Sequence, residues 1–519
     1  MRAESDGAFA RYRPAPAARA GLLMFRRVDA MAALILVAAA VLRAHDLGRR
    51  SLWLDEAWAA IGALDGPFDV AHVRVTPLLF AGLVRLSVAV LGRSEVAVRL
   101  PAALFGIAAV LLAWQLGRQL VGVGGGRMAA AIVGLCPIPV YYGKELKAYS
   151  AELFLVLGLA LVVGHLRRSP GWAPGWVALV ASVVLGTGLS PIAPLLVAGA
   201  FVSLLPTARR APRAWLAAAT ACGVASLLWL RLVFAPQMAA EPGLTAYWHL
   251  FFLPAGPPRA LATAALHSGV EAATWGLGTS VPHHADIALR LASLPPAAMF
   301  AAAACVVFGA VALWRRGGGW FVVLTLAWHG LIAAAAVAGR YPYGPARIAL
   351  FLLGPTAILL GAAASAVAAA VPSHVRPAAW LALALPLAWP LAGTWTENVT
   401  QPFEREELRP VLEEMRARRR PEDAVWVSYG ATSAFRFYVP HPDAATSLAP
   451  PGGDVGPQLA ASVARGRGRV WVIFGHWRPE EQARVQAALG ALRVADRIEA
   501  TGAGALLLVA PATATPPPE

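Results

Sequence analysis

The chain has 519 residues, 58% of them hydrophobic and only 14% charged, with a mean hydropathy of +0.59. That balance excludes a water-soluble globule and makes the bilayer the main solvent. A net charge of +15 and a pI near 10.7 suit a nucleic-acid binder, but the basic residues sit in short turns between apolar runs, not on one basic face interleaved with aromatics. No nucleic acid is therefore expected as a partner.

The N-terminal tail, residues 1–27, carries Arg2, Arg11, Arg13, Arg19, Arg26 and Arg27. The apolar stretch at 30–42 follows Arg26-Arg27 without a small-residue cleavage site, so it reads as a first anchor and not as a cleaved leader. Apolar runs near 28–44, 98–117, 127–143, 150–166, 173–189, 190–206, 214–234, 295–314, 319–338, 347–371 and 377–393 each approach the roughly 17–25 residues of a crossing helix. A twelfth run, 76–92, has Arg85 at its centre. A charge at mid-bilayer costs at least about 2.5 kcal/mol, so this run is expected to lie along the membrane surface.

Charge parity supports that choice. With a cytoplasmic N-terminus and 76–92 not crossing, the turns at Arg118/Arg127, Arg167-Arg168, Arg209-Arg210/Arg213, Arg315-Arg316 and Arg376 all fall inside. The expected fold class is a polytopic α-helical membrane protein of about 11 transmembrane helices over 28–393, in the cell membrane, with outer loops at 45–97 and 235–294. Residues 394–519 hold 15 of the 29 acidic and 14 of the 44 basic residues and read as a small extracytoplasmic α/β domain. In it, a helix is expected within 404–420, strands at 424–428, 470–474 and 504–510, a helix at 478–492, a loop at 440–457 and disorder from Pro511.

Three clusters on the outer side carry candidate chemistry. Trp53-Leu54-Asp55-Glu56-Ala57-Trp58 sets two carboxylates between tryptophans just beyond the first anchor. Partial desolvation raises a carboxylate's pKa and strengthens its pull on a proton or a metal ion, so a base or cation site is one reading and a solvated turn in an aromatic belt is the other. Tyr141-Tyr142-Gly143-Lys144-Glu145-Leu146-Lys147-Ala148-Tyr149 combines point charges with rings and hydroxyls, which suits a phosphate and a sugar but also suits snorkelling anchors. The third, Gly339-Arg340-Tyr341-Pro342-Tyr343-Gly344-Pro345-Ala346-Arg347, is a broken entry into the tenth crossing where Arg347 can clamp a phosphate, or where Arg340 and Arg347 simply snorkel to the interface.

Other patterns are bland. Cys136, Cys222 and Cys305 lie inside apolar runs as small hydrophobes, His283-His284 is a solvated turn without zinc spacing, and the Gly122 to Gly126 run lacks the Lys-Ser/Thr of a nucleotide loop.

Taken in order, these motifs resemble the GT-C membrane glycosyltransferases, in the branch of protein O-mannosyltransferases and lipid A aminoarabinose transferases. The likeness rests on Trp53-Leu54-Asp55-Glu56, Thr76-Pro77-Leu78, Gly92 to Arg99-Leu100-Pro101, Glu145-Leu146-Lys147-Ala148-Tyr149 and Tyr341 to Arg347. Val75-Thr76-Pro77 stands where many relatives have His-Pro-Pro or Glu-Lys-Pro, and Lys147 where Arg is common.

The resemblance implies an inverting transfer from a polyprenyl-phosphate sugar donor to an envelope glycan, lipid or protein acceptor at the outer face. Asp55 would act as the base or hold the acceptor through a divalent metal, and Glu56 would orient the site. Lys147 and Arg347 would stabilise the leaving phosphate, with Glu145, Tyr149, Tyr341 and Tyr343 beside the substrate. Membrane lipids are the remaining partners, and no other cofactor is implied. The alternative is a secondary transporter or lipid flippase, which should show internal repeats and ionisable groups at mid-membrane; no repeat is visible, and the ionisable residues cluster at helix ends.

Overall fold

The computed structural model describes residues 28–510 except 74–75, 241–242, 244–246, 279–295, 345–346, 401, 403, 451–454, 477–482, 484, 486 and 488–491. The N-terminal tail, His283-His284, most of the helix expected at 478–492 and the end from Pro511 lie outside the described residues.

Asp29 opens the first helix, α1 (Ala30–Ala44), as its N-cap, accepting from the Ala32 amide at 3.0 Å. The outer loop then forms α2 (Leu54–Leu64), a short turn α3 (Val70–Val73) and α4 (Leu78–Leu91), the segment expected along the surface. Arg85 of α4 stacks 5.5 Å over the Phe68 ring, so its charge is met by the loop.

The long helix α5 (Glu95–Leu135) contains both the second and the third expected crossing, folded back on each other at Gly122, whose φ of 85° requires glycine. The two arms approach so closely that a Cβ on Gly117 would stand 2.8 Å from Gly126 Cα. The glycine run is thus a helical hairpin. Pro101 inside α5 cannot bond the Ala97 carbonyl, and Ser87 Oγ of α4 donates to that carbonyl at 2.6 Å instead, pinning α4 to α5. The third crossing was expected to run unbroken over 127–143, but it stops at Leu135. Cys136 and Pro137 start a separate short helix, α6 (Pro137–Tyr142), because proline at a first helical position reopens the ladder.

The next helix, α7 (Tyr149–Arg168), is followed by apolar helices at Ala173–Leu189, Ala193–Ser203, Pro212–Trp229, Pro296–Leu313, Gly319–Val337 and Leu353–Ala370. Among the described residues six helical runs are long and apolar enough to cross a bilayer and four shorter apolar helices accompany them; the two runs of 41 residues each hold two crossings. With α4 set aside, these account for all eleven expected spans, and the chain is a multi-pass membrane protein. The final anchor is interrupted at Pro386, splitting into Arg376–Ala384 and Ala388–Trp395. Among its described residues the expected outer loop 235–294 contains a helix at Pro258–Trp275 whose Glu271, Ala272, Thr274 and Trp275 are buried.

The C-terminal domain is a five-stranded sheet in the order β2-β1-β3-β5-β4, formed by β1 (Ala424–Val427), β2 (Thr446–Leu448), β3 (Arg469–Gly475), β4 (Arg493–Ala500) and β5 (Ala503–Val509). The pairs β1/β2 and β1/β3 are parallel, and β5 is antiparallel to β3 and β4. The segment expected as a loop at 440–457 contains β2, and the helix Val455–Arg465 begins before its end.

Alternate residues of the central strands face opposite sides. Trp426, Val470 and Val472 pack under Val455–Arg465. Val425, Val427, Trp471 and Ile473 join one core with the helices Leu408–Arg418 and Tyr429–Tyr438 and with Ala57, Ile61 and Phe80 of the outer loop. The domain is therefore fused to the loop that carries Asp55-Glu56.

Candidate active site

Trp53 N-caps α2 without a side-chain bond, so the free amides at this helix start need acceptors from elsewhere. They come from the far end of the chain. Glu406 accepts from Leu54 N at 2.8 Å, Glu407 from Ser51 N and Oγ at 2.9 Å, and the Tyr438 hydroxyl from Leu52 N at 2.8 Å. Asp55 and Glu56 then occupy the first turn, where the helix dipole favours negative charge.

The adjacent carboxylates have different surroundings. Glu56 is 1% exposed and takes Arg99 through two parallel bonds, 2.8 Å from Nε and 2.6 Å from Nη2, while its Oε1 also accepts from Leu146 N at 2.7 Å. Three donors thus meet its two oxygens, and the bonds tie α2 to α5 and to the loop after α6. Asp55 is 20% exposed and meets Arg347 Nη2 at 2.7 Å and Lys147 Nζ at 3.9 Å. Burial opposes ionisation of Asp55, but Lys147, Arg347 and Arg405 outweigh it and hold the carboxyl below its usual range. The Lys147 ammonium is pushed down by burial, against the pull of Asp55.

Glu145 lies behind this pair, fully buried, with Oε1 accepting from Trp53 Nε1 at 2.7 Å and Oε2 without a hydrogen-bond partner. Burial raises its pKa against the pull of Arg405, whose Nη1 is 3.8 Å away. Arg405 stacks 3.9 Å over the Trp53 ring, and Arg347 lies 5.5 Å over both Trp53 and Trp248. Three cations thus face one short acidic strip, and aromatic rings hold two of them in place.

The structure brings Asp55, Lys147 and Arg347 into direct contact and sets Glu145 beside them. Tyr149 stands at the edge, its ring 5.3 Å from Tyr142 in a T-shaped pair. Tyr341 and Tyr343 are turned elsewhere: the Tyr341 hydroxyl donates to the Ile348 carbonyl at 3.1 Å, and the Tyr343 hydroxyl lies 2.6 Å from His329 Nδ1. Both brace the 3-10 turn Arg347–Leu352 or its neighbours and do not touch Asp55.

Arg405 and Glu406 escaped the reading of the sequence because they open a stretch of alternating charges that looks like an ordinary solvated helix. The one available signal was position, directly after the last apolar run. His476, which follows β3 with φ 47°, also reaches the site through Glu406 Oε1 at 2.7 Å.

A divalent ion at Asp55 finds no suitable donors. Among the described residues no group of three His, Cys, Asp or Glu could hold a metal, and the groups around Asp55 are cations that would repel one. Asp55 is itself the anion that Lys147 and Arg347 meet.

No family model and no curated protein matches the sequence. Among solved structures, the chain is similar to the crystal structure of ArnT from Cupriavidus metallidurans in the apo state, with a TM-score of 0.52 at 13% identity over 92% of this chain and 97% of that one. ArnT from the same organism bound to undecaprenyl phosphate matches with a TM-score of 0.51 at 13% identity over the same shares of both chains. ArnT is the lipid A aminoarabinose transferase and a GT-C protein. At 92% of this chain the likeness takes in more than the apolar spans, and the chain shares the fold of these GT-C structures.

Proposed function

We propose that the protein is a membrane glycosyltransferase that moves a sugar from a polyprenyl-phosphate donor to an acceptor at the outer face of the membrane. The observation that carries this reading is the contact of Asp55 with Arg347 at 2.7 Å and Lys147 at 3.9 Å, in the fold of a transferase crystallised with undecaprenyl phosphate.

A donor phosphate competes with Asp55 for the two cations. As it takes them, Asp55 loses the charges that depress its pKa and becomes a stronger base. The acceptor hydroxyl or amine gives its proton to Asp55, and its oxygen or nitrogen bonds to the anomeric carbon from the side opposite the phosphate. The anomeric C–O bond breaks with its electrons passing to the phosphate oxygen, so the configuration inverts. Lys147, Arg347 and Arg405 meet the charge that develops there. A leaving group that is already a phosphate needs cations more than it needs an acid. Glu145 offers its uncommitted oxygen to a sugar hydroxyl, Tyr149 gives the sugar a ring to pack on, and Glu56 positions α2 through Arg99. The transporter alternative gains no support from a cluster whose partners are committed at one helix end.

Purified protein supplied with a panel of polyprenyl-phosphate sugars, with and without chelator, tests the reading by donor turnover. Asp55→Asn should lose transfer by about a thousandfold or more while its melting curve and membrane insertion persist, and chelator should leave the wild-type rate unchanged. Full activity in Asp55→Asn would sink the assignment.

A further inference from the structure

Beside the transferase site the chain forms a second basic cleft, shallow and partly open to solvent. Arg49 and Arg50 come from the segment after α1, Tyr141 and Lys144 from the end of α6, and Asn398 from the end of the last apolar run. Both apolar runs end here, so the cleft sits at a membrane–water boundary, the level at which lipid phosphates lie.

Lys144 makes the cleft unusual. The residue is 5% exposed; its backbone carbonyl accepts from Arg50 Nη2 at 3.2 Å, yet among the described residues its ammonium has no hydrogen bond or ion pair. Buried ammonium groups are ordinarily paired, because desolvation without a partner is costly. Arg50 is fixed against the Tyr141 ring at 4.7 Å. Asp46 is the carboxylate whose charge favours the Lys144 ammonium, but it makes its close contacts to Arg49 at 3.3 Å and His45 at 3.5 Å. With Glu397 included, the lining holds three cations against two carboxylates. A single negative charge balances it.

We propose that this cleft binds the phosphate of an anionic membrane phospholipid, with Lys144 as its point-charge partner and Arg49 and Arg50 at its sides. A phosphodiester supplies several acceptor oxygens for the three N–H donors of an ammonium and keeps one net charge. Burial pulls the Lys144 pKa down to about 8, with Arg50 adding to the effect, and a bound anion would reverse that pull. The cleft adjoins the Asp55 cluster through the Tyr141 ring, which Arg50 meets at 4.7 Å and Arg405 at 6.0 Å, but it contains neither Asp55 nor Lys147, and its ligand is not consumed.

The test measures lipid retained by the purified full-length chain in detergent, using native mass spectrometry. Phosphatidylglycerol, phosphatidylcholine and inorganic phosphate are titrated separately onto the wild type, Lys144→Gln and Lys144→Arg. The wild type should retain phosphatidylglycerol over phosphatidylcholine, Lys144→Gln should weaken that retention about tenfold or more, and Lys144→Arg should keep most of it. Millimolar inorganic phosphate should not displace the lipid.

Equal retention by the wild type and Lys144→Gln overturns the site. Equal retention of the two lipids, or binding of inorganic phosphate in their place, overturns the lipid assignment. Should Lys144→Gln fail to fold, acylation of Lys144 in the wild type decides the matter: phosphatidylglycerol should slow it and phosphatidylcholine should not, and equal rates refute the proposal. None of these readouts depends on sugar transfer.

Discussion

Replacing Glu56 with glutamine removes the charge against which Arg99 is buried. Both side chains are 1% exposed. Breaking one partner of such a pair costs about 3–5 kcal/mol, because the other charge is left desolvated and unpaired. The lower part of that range applies, since Arg99 keeps neutral acceptors in the carbonyls of Leu47, Arg50 and Ser51 at 3.0, 2.9 and 3.1 Å. The glutamine retains one oxygen for Leu146 N but turns an NH2 group toward the guanidinium, donor against donor. Equilibrium unfolding in mixed detergent micelles measures the loss. The cycle of Glu56→Gln, Arg99→Gln and the double variant isolates the pair, and a coupling on the order of 2 kcal/mol is expected. A coupling below about 0.5 kcal/mol, or a Glu56→Gln variant within about 1 kcal/mol of the wild type, would refute the view that Glu56 is a positioning residue held by Arg99.

Arg405→Ala should lower kcat/KM for the donor about 10- to 100-fold, and Arg405→Lys should recover little because an ammonium does not reproduce the stacking on Trp53; recovery by lysine would show that the stacking is irrelevant. Trp53→Phe should slow transfer less than Asp55→Asn does, since it removes only the indole donor to one Glu145 oxygen and leaves both cations in place; steady-state rates for the two variants make the comparison. A pH titration of stability tests Lys144. Its folded pKa of about 8 lies below the ordinary value of 10.5, so the unfolded chain binds the extra proton between them and stability should rise from about pH 8 toward 10, by at most about 3 kcal/mol. Lys144→Gln should flatten this slope, and an unchanged slope would exclude Lys144 as its source.

Much of this was legible in the chain because a run of some twenty apolar residues has few other physical uses. Eleven spans were readable, and Asp55, Lys147 and Arg347 could each be singled out by charge at the boundary. Their meeting was not readable from composition, since 292 positions separate Asp55 from Arg347 and only the packing of the spans closes that gap. Glu56 and Asp55 look equivalent as neighbours in a sequence, but a helix turns them about 100° apart, and one finds Arg99 while the other finds Arg347. In the C-terminal domain the buried strands β1, β3 and β5 announced themselves by continuous apolar runs. The edge strands were silent: β2 has three residues in a Pro/Gly-rich stretch, and β4 is polar and mostly exposed, as edges that avoid mispairing tend to be.

The clasp of Glu406, Glu407 and Tyr438 on the start of α2 has a temporal side. These residues lie some 350 to 390 positions after the loop they hold, so during synthesis the spans are complete while the amides of Ser51, Leu52 and Leu54 still lack their partners. At the usual 5–20 residues per second, the delay between the loop and its clasp is about 20 to 80 seconds. For that interval the nascent chain holds Asp55 on an unbraced helix and has no Arg405 to stack on Trp53. Bracing of the α2 start therefore waits on residues 405–438, and a ribosome stalled before residue 405 leaves a membrane-embedded chain with an unfinished site.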